Sequence, residues 1–160
     1  MPILKKLQEF LEASGVEYRH TQHPTAYTAR EVAAAEHIPA HEVAKTVVFL
    51  SENGYGMAVL CGDCVVDLEQ LRKDLGLTRL RLATESELGE LFPDCELGAM
   101  PPLGNLFGLP VYVDTQLANE PMIAFNAGTH RDVVYMRFAD FERLVKPQIL
   151  PFARRVTAAG

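Results

Sequence analysis

The chain has 160 residues, 48% of them hydrophobic and 22% charged, with a formal net charge of −6 at pH 7. That length suits one domain with a real core, and the balanced composition excludes a disordered, collagen-like or coiled-coil chain. The acidic balance excludes a protein that coats nucleic acid, which needs a field of Lys and Arg to displace counterions.

In chain order, Ile3, Leu4, Leu7, Phe10 and Leu11 fall at helical spacing, so Ile3–Ala13 reads as an amphipathic helix that Ser14-Gly15 ends. Val16–Gln22 alternates as a strand does, and His23-Pro24 forces extended or turn geometry. Thr28-Ala-Arg-Glu31 is a capping-box pattern that opens a helix to about His37, with Pro39 as its stop. Lys45–Ser51 and Gly56–Cys61 read as strands joined through an Asn53-Gly54 turn. Asp67 caps a helix over Leu68–Leu75, and Gly76 ends it. Leu77–Leu82 is a short strand, and Thr84-Glu-Ser-Glu87 opens a further helix to about Phe92.

Pro93–Pro110 is a loop rich in proline and glycine. Val111–Val113, Met122–Asn126 and Val133–Phe138 follow as strands, and Ala139–Val145 as the last helix. Pro151–Gly160 is expected to be a flexible tail behind a single domain over residues 1–150. The expected fold class is α+β, with a mixed, largely antiparallel sheet. Apolar runs such as Val47–Leu50 are far shorter than the about 20 residues that cross a bilayer, so no membrane partner is expected. The N-terminus lacks the apolar stretch of a signal peptide. Three cysteines form no disulfide framework, which points to the reducing cytoplasm.

Candidate chemistry gathers in a few places. Proline fixes φ and glycine permits close backbone approach, so Gly98-Ala99-Met100-Pro101-Pro102-Leu-Gly104 can bare main-chain amides to a carbonyl or oxyanion. The alternative is an ordinary surface connection. Lys45, set among Val43, Ala44, Thr46 and Val47, either snorkels to water or lines a site that uses its charge. Thr46 is a hydrogen-bonding partner or simply a strand residue. His130, in Asn126-Ala-Gly128-Thr-His130, orients a substrate or sits in a solvated turn. His23 is the other histidine of interest, because Pro24 fixes its backbone. Cys61-Gly-Asp-Cys64 has C-x-x-C spacing, yet no second such pair exists to complete a zinc site. It also follows a strand instead of opening a helix, where a thiolate would be stabilised. No P-loop, dinucleotide fingerprint, nucleophile elbow or H-E-x-x-H is present.

Lys45 with Thr46, the Gly98-x-x-x-Pro102 loop continuing to Gly104, and the Gly128–His130 connection occur in the order and spacing of the YbaK-type family. The chain resembles that family, the editing domain also inserted in bacterial prolyl-tRNA synthetases, from about Leu7 to Val145. The resemblance implies a sheet curled into a barrel-like core with helices around it. It also implies hydrolysis of the ester joining a wrong small amino acid (Ala, Cys or Ser) to the 3′ end of a tRNA, usually that for proline. Its expected partners are the tRNA acceptor end and prolyl-tRNA synthetase, with no DNA, no metal and no cofactor. Lys45 would hold the terminal ribose-phosphate or aminoacyl group, and the Gly98–Pro102 backbone would bind the carbonyl. Ala99 and Met100 would shape the side-chain pocket.

An aminoacyl ester is already activated, so positioning of water and charge stabilisation suffice without a dedicated nucleophile. Editing is needed because one methylene is worth only ~1–3 kcal/mol in a synthetase pocket. Lys5, Lys6, Arg30, Lys45 and Arg131 are candidates for a local basic rim that would meet the RNA despite the acidic total. The rival readings are a non-catalytic binding module for a nucleotide, amino acid or protein, and a hydrolase of small esters.

Overall fold

A computed structural model describes residues 4–155. Its centre is a five-stranded sheet in the order β5-β2-β3-β6-β9, built from β2 (Ala44–Ser51), β3 (Gly54–Cys61), β5 (Leu80–Leu82), β6 (Val111–Asp114) and β9 (Gln148–Leu150). β2 pairs antiparallel with β3 and β5, whereas β3 with β6 and β6 with β9 are parallel. A three-stranded antiparallel sheet, β1-β8-β7, comprises β1 (Tyr18–Gln22), β7 (Met122–Asn126) and β8 (Asp132–Arg137). β4 (Cys64–Val66) and β10 (Ala153–Arg155) form a separate antiparallel pair. The fold is therefore mixed α+β, as expected, but its sheets are open and close no barrel.

The helices begin where local chemistry puts them. Thr28 and Glu31 form a reciprocal capping box at α2 (Ala29–Glu36), and Thr84 and Glu87 do so at α4 (Glu85–Leu91). Asp67 accepts the Gln70 amide at the start of α3 (Leu68–Asp74). α1 (Lys5–Ser14) buries Leu7 and Leu11 and ends at Gly15, whose φ of 71° is the left-handed form glycine adopts most readily. α6 (Phe138–Val145) buries Phe138 and Phe141. These side chains meet Met57, Leu60 and Phe125 in the main core. A smaller core under α2 joins Val32 and Ala33 to Val43, Ala124 and Tyr135.

Three local expectations need correction, and one short helix is added to them. The hairpin turn is Glu52-Asn53, with Gly54 already paired to Ser51. The strand expected over Leu77–Leu82 shrinks to β5, because Thr78 and Arg79 give their amides to the Glu52 carboxylate and not to a ladder. A one-turn helix, α5 (Thr115–Ala118), follows β6 and is capped by Asp114. Finally, Pro151–Arg155 is no loose tail. Phe152 is fully buried, its carbonyl accepts the Asp67 amide, and Ala153 donates to Asp114, so apolar burial draws the segment in as β10. Residues 156–160 of the expected tail lie outside the described residues.

Candidate functional site

Four distant segments wall one cavity of about 240 Å³: residues 27–29, residues 43–46, Gly98 with Met100, and Asn126. Each is held by an identifiable contact. The Glu31 carboxylate accepts the amides of Tyr27 and Thr28 at 3.0 Å, which fixes the chain entering α2. A parallel bridge between Val43 and Ala124 sets the start of β2 beside β7, so Asn126 arrives next to Lys45 and Thr46.

The third wall is stapled to the turn between β7 and β8. Glu96 donates its amide to the Gly128 carbonyl at 2.8 Å, and Gly128 returns its own amide to Ala99 at 2.9 Å. The His130 amide binds the Glu96 carboxylate at 2.7 Å, and His130 Nε2 donates to the Leu97 carbonyl at 2.6 Å. Between these staples Gly98 takes φ +84°, a left-handed conformation that disfavours a side chain, although a Cβ would meet His130 only at 3.5 Å.

Two polar side-chain atoms of the lining lack protein partners. Thr46 Oγ1 and Asn126 Oδ1 are buried yet make no hydrogen bond, and a buried polar group left unpaired costs free energy. Burial holds the Lys45 ammonium below its usual pKa, with the Arg30 charge adding to that effect and Cys64 and Asp63 opposing it. Among the described residues Lys45 makes no ion pair. In the 98–102 segment the Ala99 amide is spent on the Glu96 carbonyl, and Pro101 and Pro102 have none. The amides of Gly98 and Met100 have no partner among the described residues. A cation, two unpaired oxygens and two main-chain donors can together hold a ligand with a polarised carbonyl and hydroxyls.

Of the residues singled out from sequence, Lys45, Thr46, Gly98 and Met100 line the cavity. Ala99, Pro101, Pro102, Gly104, Gly128, His130 and His23 are buried outside its lining. Gly104 packs so closely that a Cβ would meet the Leu109 carbonyl oxygen at 2.5 Å. Gly128, at φ +101°, leaves room for Leu4. His130 is only 8% exposed, so its turn is not a solvated one. His23 Nδ1 donates to the Pro24 carbonyl, and its Nε2, without a hydrogen bond, lies 4.0 Å from the Glu36 carboxylate. Sequence reading missed Asn126 and Tyr27, since neither residue type is diagnostic until burial or a cavity singles it out.

The expected basic rim is only partly assembled here. Lys5 pairs with Glu9, and Lys6 lies 4.5 Å over the Phe107 ring, while the Arg30 charge is felt at Lys45.

Other candidates carry less. A hollow of about 340 Å³ at the far end of β2 is lined by Glu52, Arg79 and Arg81, but Glu52 is satisfied by Thr78 and Arg79, and Arg81 by Glu87. Cys61 and Cys64 are buried free thiols, and burial first, then the Cys64 and Asp63 charges, push Cys61 up to about 12. Among the described residues the side chains close enough to share a metal are His41, Glu42 and Glu120, with no cysteine in the group. No helix among them is long and apolar enough to cross a membrane.

Residues 23–144 match the family described as the aminoacyl-tRNA editing domain. The multifunctional Ser/Thr-tRNA deacylase ProXp-y of Escherichia coli (strain K12) is 29% identical over 155 residues, spanning 94% of this chain and 92% of the relative. The proline–tRNA ligase of Thiobacillus denitrificans is 28% identical over 142 residues, 88% of this chain but 24% of the ligase. A crystal structure described as a candidate trans-editing enzyme for prolyl-tRNA synthetase superposes with a TM-score of 0.82 at 27% identity, covering 94% of this chain and 96% of the other.

Proposed function

The chain belongs to the aminoacyl-tRNA editing domain family, and from that premise we propose that it is a free-standing deacylase that hydrolyses the ester of a mischarged small amino acid on tRNA. The reading rests on one observation above the others: Thr46 Oγ1 and Asn126 Oδ1 are unpaired on a wall that also carries an ammonium without a counter-ion. Such groups are costly for the fold alone and useful to a bound ester.

In the reaction, water adds to the ester carbonyl carbon, and the bond from that carbon to the ribose oxygen breaks. The products are the free amino acid and a ribose hydroxyl, which takes up a proton from the attacking water. The unspent amides of Gly98 and Met100 suit the carbonyl oxygen as negative charge builds on it. Lys45 offers its charge to the ribose-phosphate end or to the aminoacyl group. Thr46 and Asn126 can hold the water or the neighbouring ribose hydroxyl in place. Catalysis here is positioning and electrostatics, with no covalent intermediate.

Val43, Ala44 and Met100 close the inner end of the cavity, which favours alanine, serine or cysteine as the amino acid released. The ligase relatives support tRNA for proline as the substrate and prolyl-tRNA synthetase as a working partner. The reading requires the compartment of translation, the cytoplasm. The deciding experiment is a panel of mischarged tRNAs incubated with wild type and Lys45→Ala side by side. Release of a small amino acid by the wild type alone is the expected result. Preferred release of a bulky one would overturn the size assignment, and equal release by both proteins would overturn the site.

A further inference from the structure

Tyr27 is the most exposed large hydrophobic side chain among the described residues, at 68%. It nevertheless lines the cavity whose inner residues, Val43, Ala44 and Met100, are each no more than 5% exposed. The ring thus stands at the mouth, outside the apolar end. Its inner side rests on the His130 ring, with centroids 4.9 Å apart and planes tilted by 57°. That histidine is immobilised in turn by Leu97 and Glu96. The Tyr27 backbone is fixed as well, because its amide is tied to Glu31. An aromatic ring backed by a buried partner and open on its other side binds flat rings with little entropy left to lose.

We propose that Tyr27 is the stacking platform for the terminal adenine of the aminoacyl-tRNA, an assignment that rests on the deacylase reading above. The connectivity of the substrate supports it. The ester and amino acid fill the inner cavity, and the ribose that carries the ester bears the adenine as its nearest ring, on the outward side. A base at that place meets the open surface of Tyr27. Stacking reads a π-face and not a hydrogen-bond pattern, so the platform requires an aromatic ring and does not require its hydroxyl. Tyr27 is accordingly a substrate-binding residue, with His130 its support.

The test uses the full-length protein and a stable amide mimic, 3′-deoxy-3′-(alanylamino)adenosine, alongside the same compound with hydrogen in place of adenine. Affinities measured by NMR titration give a cycle for wild type, Tyr27→Leu and Tyr27→Phe. Removing the adenine should weaken binding about ten-fold in wild type and in Tyr27→Phe, and no more than two-fold in Tyr27→Leu. Exposure of the side chain means that these variants keep their fold, which their NMR spectra check directly. Equal loss in wild type and Tyr27→Leu would overturn the platform. Turnover of mischarged tRNA by wild type reads the enzymatic function separately. If the wild type hydrolyses the tRNA while the cycle is flat, the platform falls and the function stands. If the wild type hydrolyses none, the function falls and the platform with it.

Discussion

His130 Nε2 donates a 2.6 Å hydrogen bond to the carbonyl oxygen of Leu97, and so fixes the residue that precedes the left-handed Gly98. A carbonyl can only accept, which places the proton on Nε2. The histidine bears on the cavity through that bond, by holding the loop that carries the lining residues Gly98 and Met100. His130→Ala should lower kcat/KM about ten-fold and cost about 1–3 kcal/mol of stability, the usual penalty for stranding a buried acceptor. His130→Gln, which can still donate, should recover most of the activity. Deacylation kinetics and denaturant melts on both variants check this, and a Gln variant as impaired as Ala would count against it.

Lys45 combines the charge proposed for the substrate with an unfavourable location. Burial lowers its pKa from the ordinary 10.5, so the folded state disfavours the ammonium. For a lysine that penalty is present below the lowered pKa and disappears as pH rises past the unfolded value. Lys45→Met should therefore leave stability at pH 7 unchanged or raised while lowering kcat/KM about 100-fold or more. In wild type, activity above the spontaneous ester hydrolysis should hold at neutral pH and fall with a midpoint below 10.5. A pH–rate profile and thermal melts of both proteins read the two effects.

Thr46→Val keeps the shape of the side chain and deletes a buried hydroxyl that has no partner. Because no hydrogen bond is lost, the variant should be as stable as wild type or more stable, by about 1 kcal/mol. Its kcat/KM should nonetheless drop about ten-fold. Urea unfolding paired with deacylation assays tests the combination, and a destabilised but fully active variant is the contrary outcome.

Gly104→Ala pushes a methyl group against the Leu109 carbonyl oxygen at 2.5 Å and against Val111 Cγ2 at 2.6 Å. Backbone cannot yield as a flexible side chain does, so the change should cost about 1–3 kcal/mol. Calorimetry should record the lower Tm.

Cys61 is pushed up to about 12 and Cys95 to about 11, both chiefly by burial. These thiols should resist iodoacetamide at pH 8 while the protein is folded, because the thiolate is the reactive form. Cys61→Ala with Cys64→Ala should retain activity within about two-fold. Mass spectrometry of the treated protein and assays of the double variant decide this, and loss of turnover would restore a chemical role for the pair.

Much of the framework was legible in the sequence, because the signals concerned act over a few residues. The Thr28/Glu31 and Thr84/Glu87 boxes close their hydrogen bonds within one turn, and the apolar spacing of Leu7 and Leu11 declares a buried face. Lys45, Gly98 and Met100 could be picked out by motif order, although nothing local revealed that they share a wall. Tertiary structure alone decided that. The Val43–Ala124 bridge carries Asn126 to Lys45, the Glu96–Gly128 bonds hold the glycine loop over the cavity, and the fit of Phe152 in the core draws β10 into a ladder. Each joins residues far apart in the chain, and which buried surfaces meet depends on the whole packing energy, a quantity that no short stretch of sequence displays.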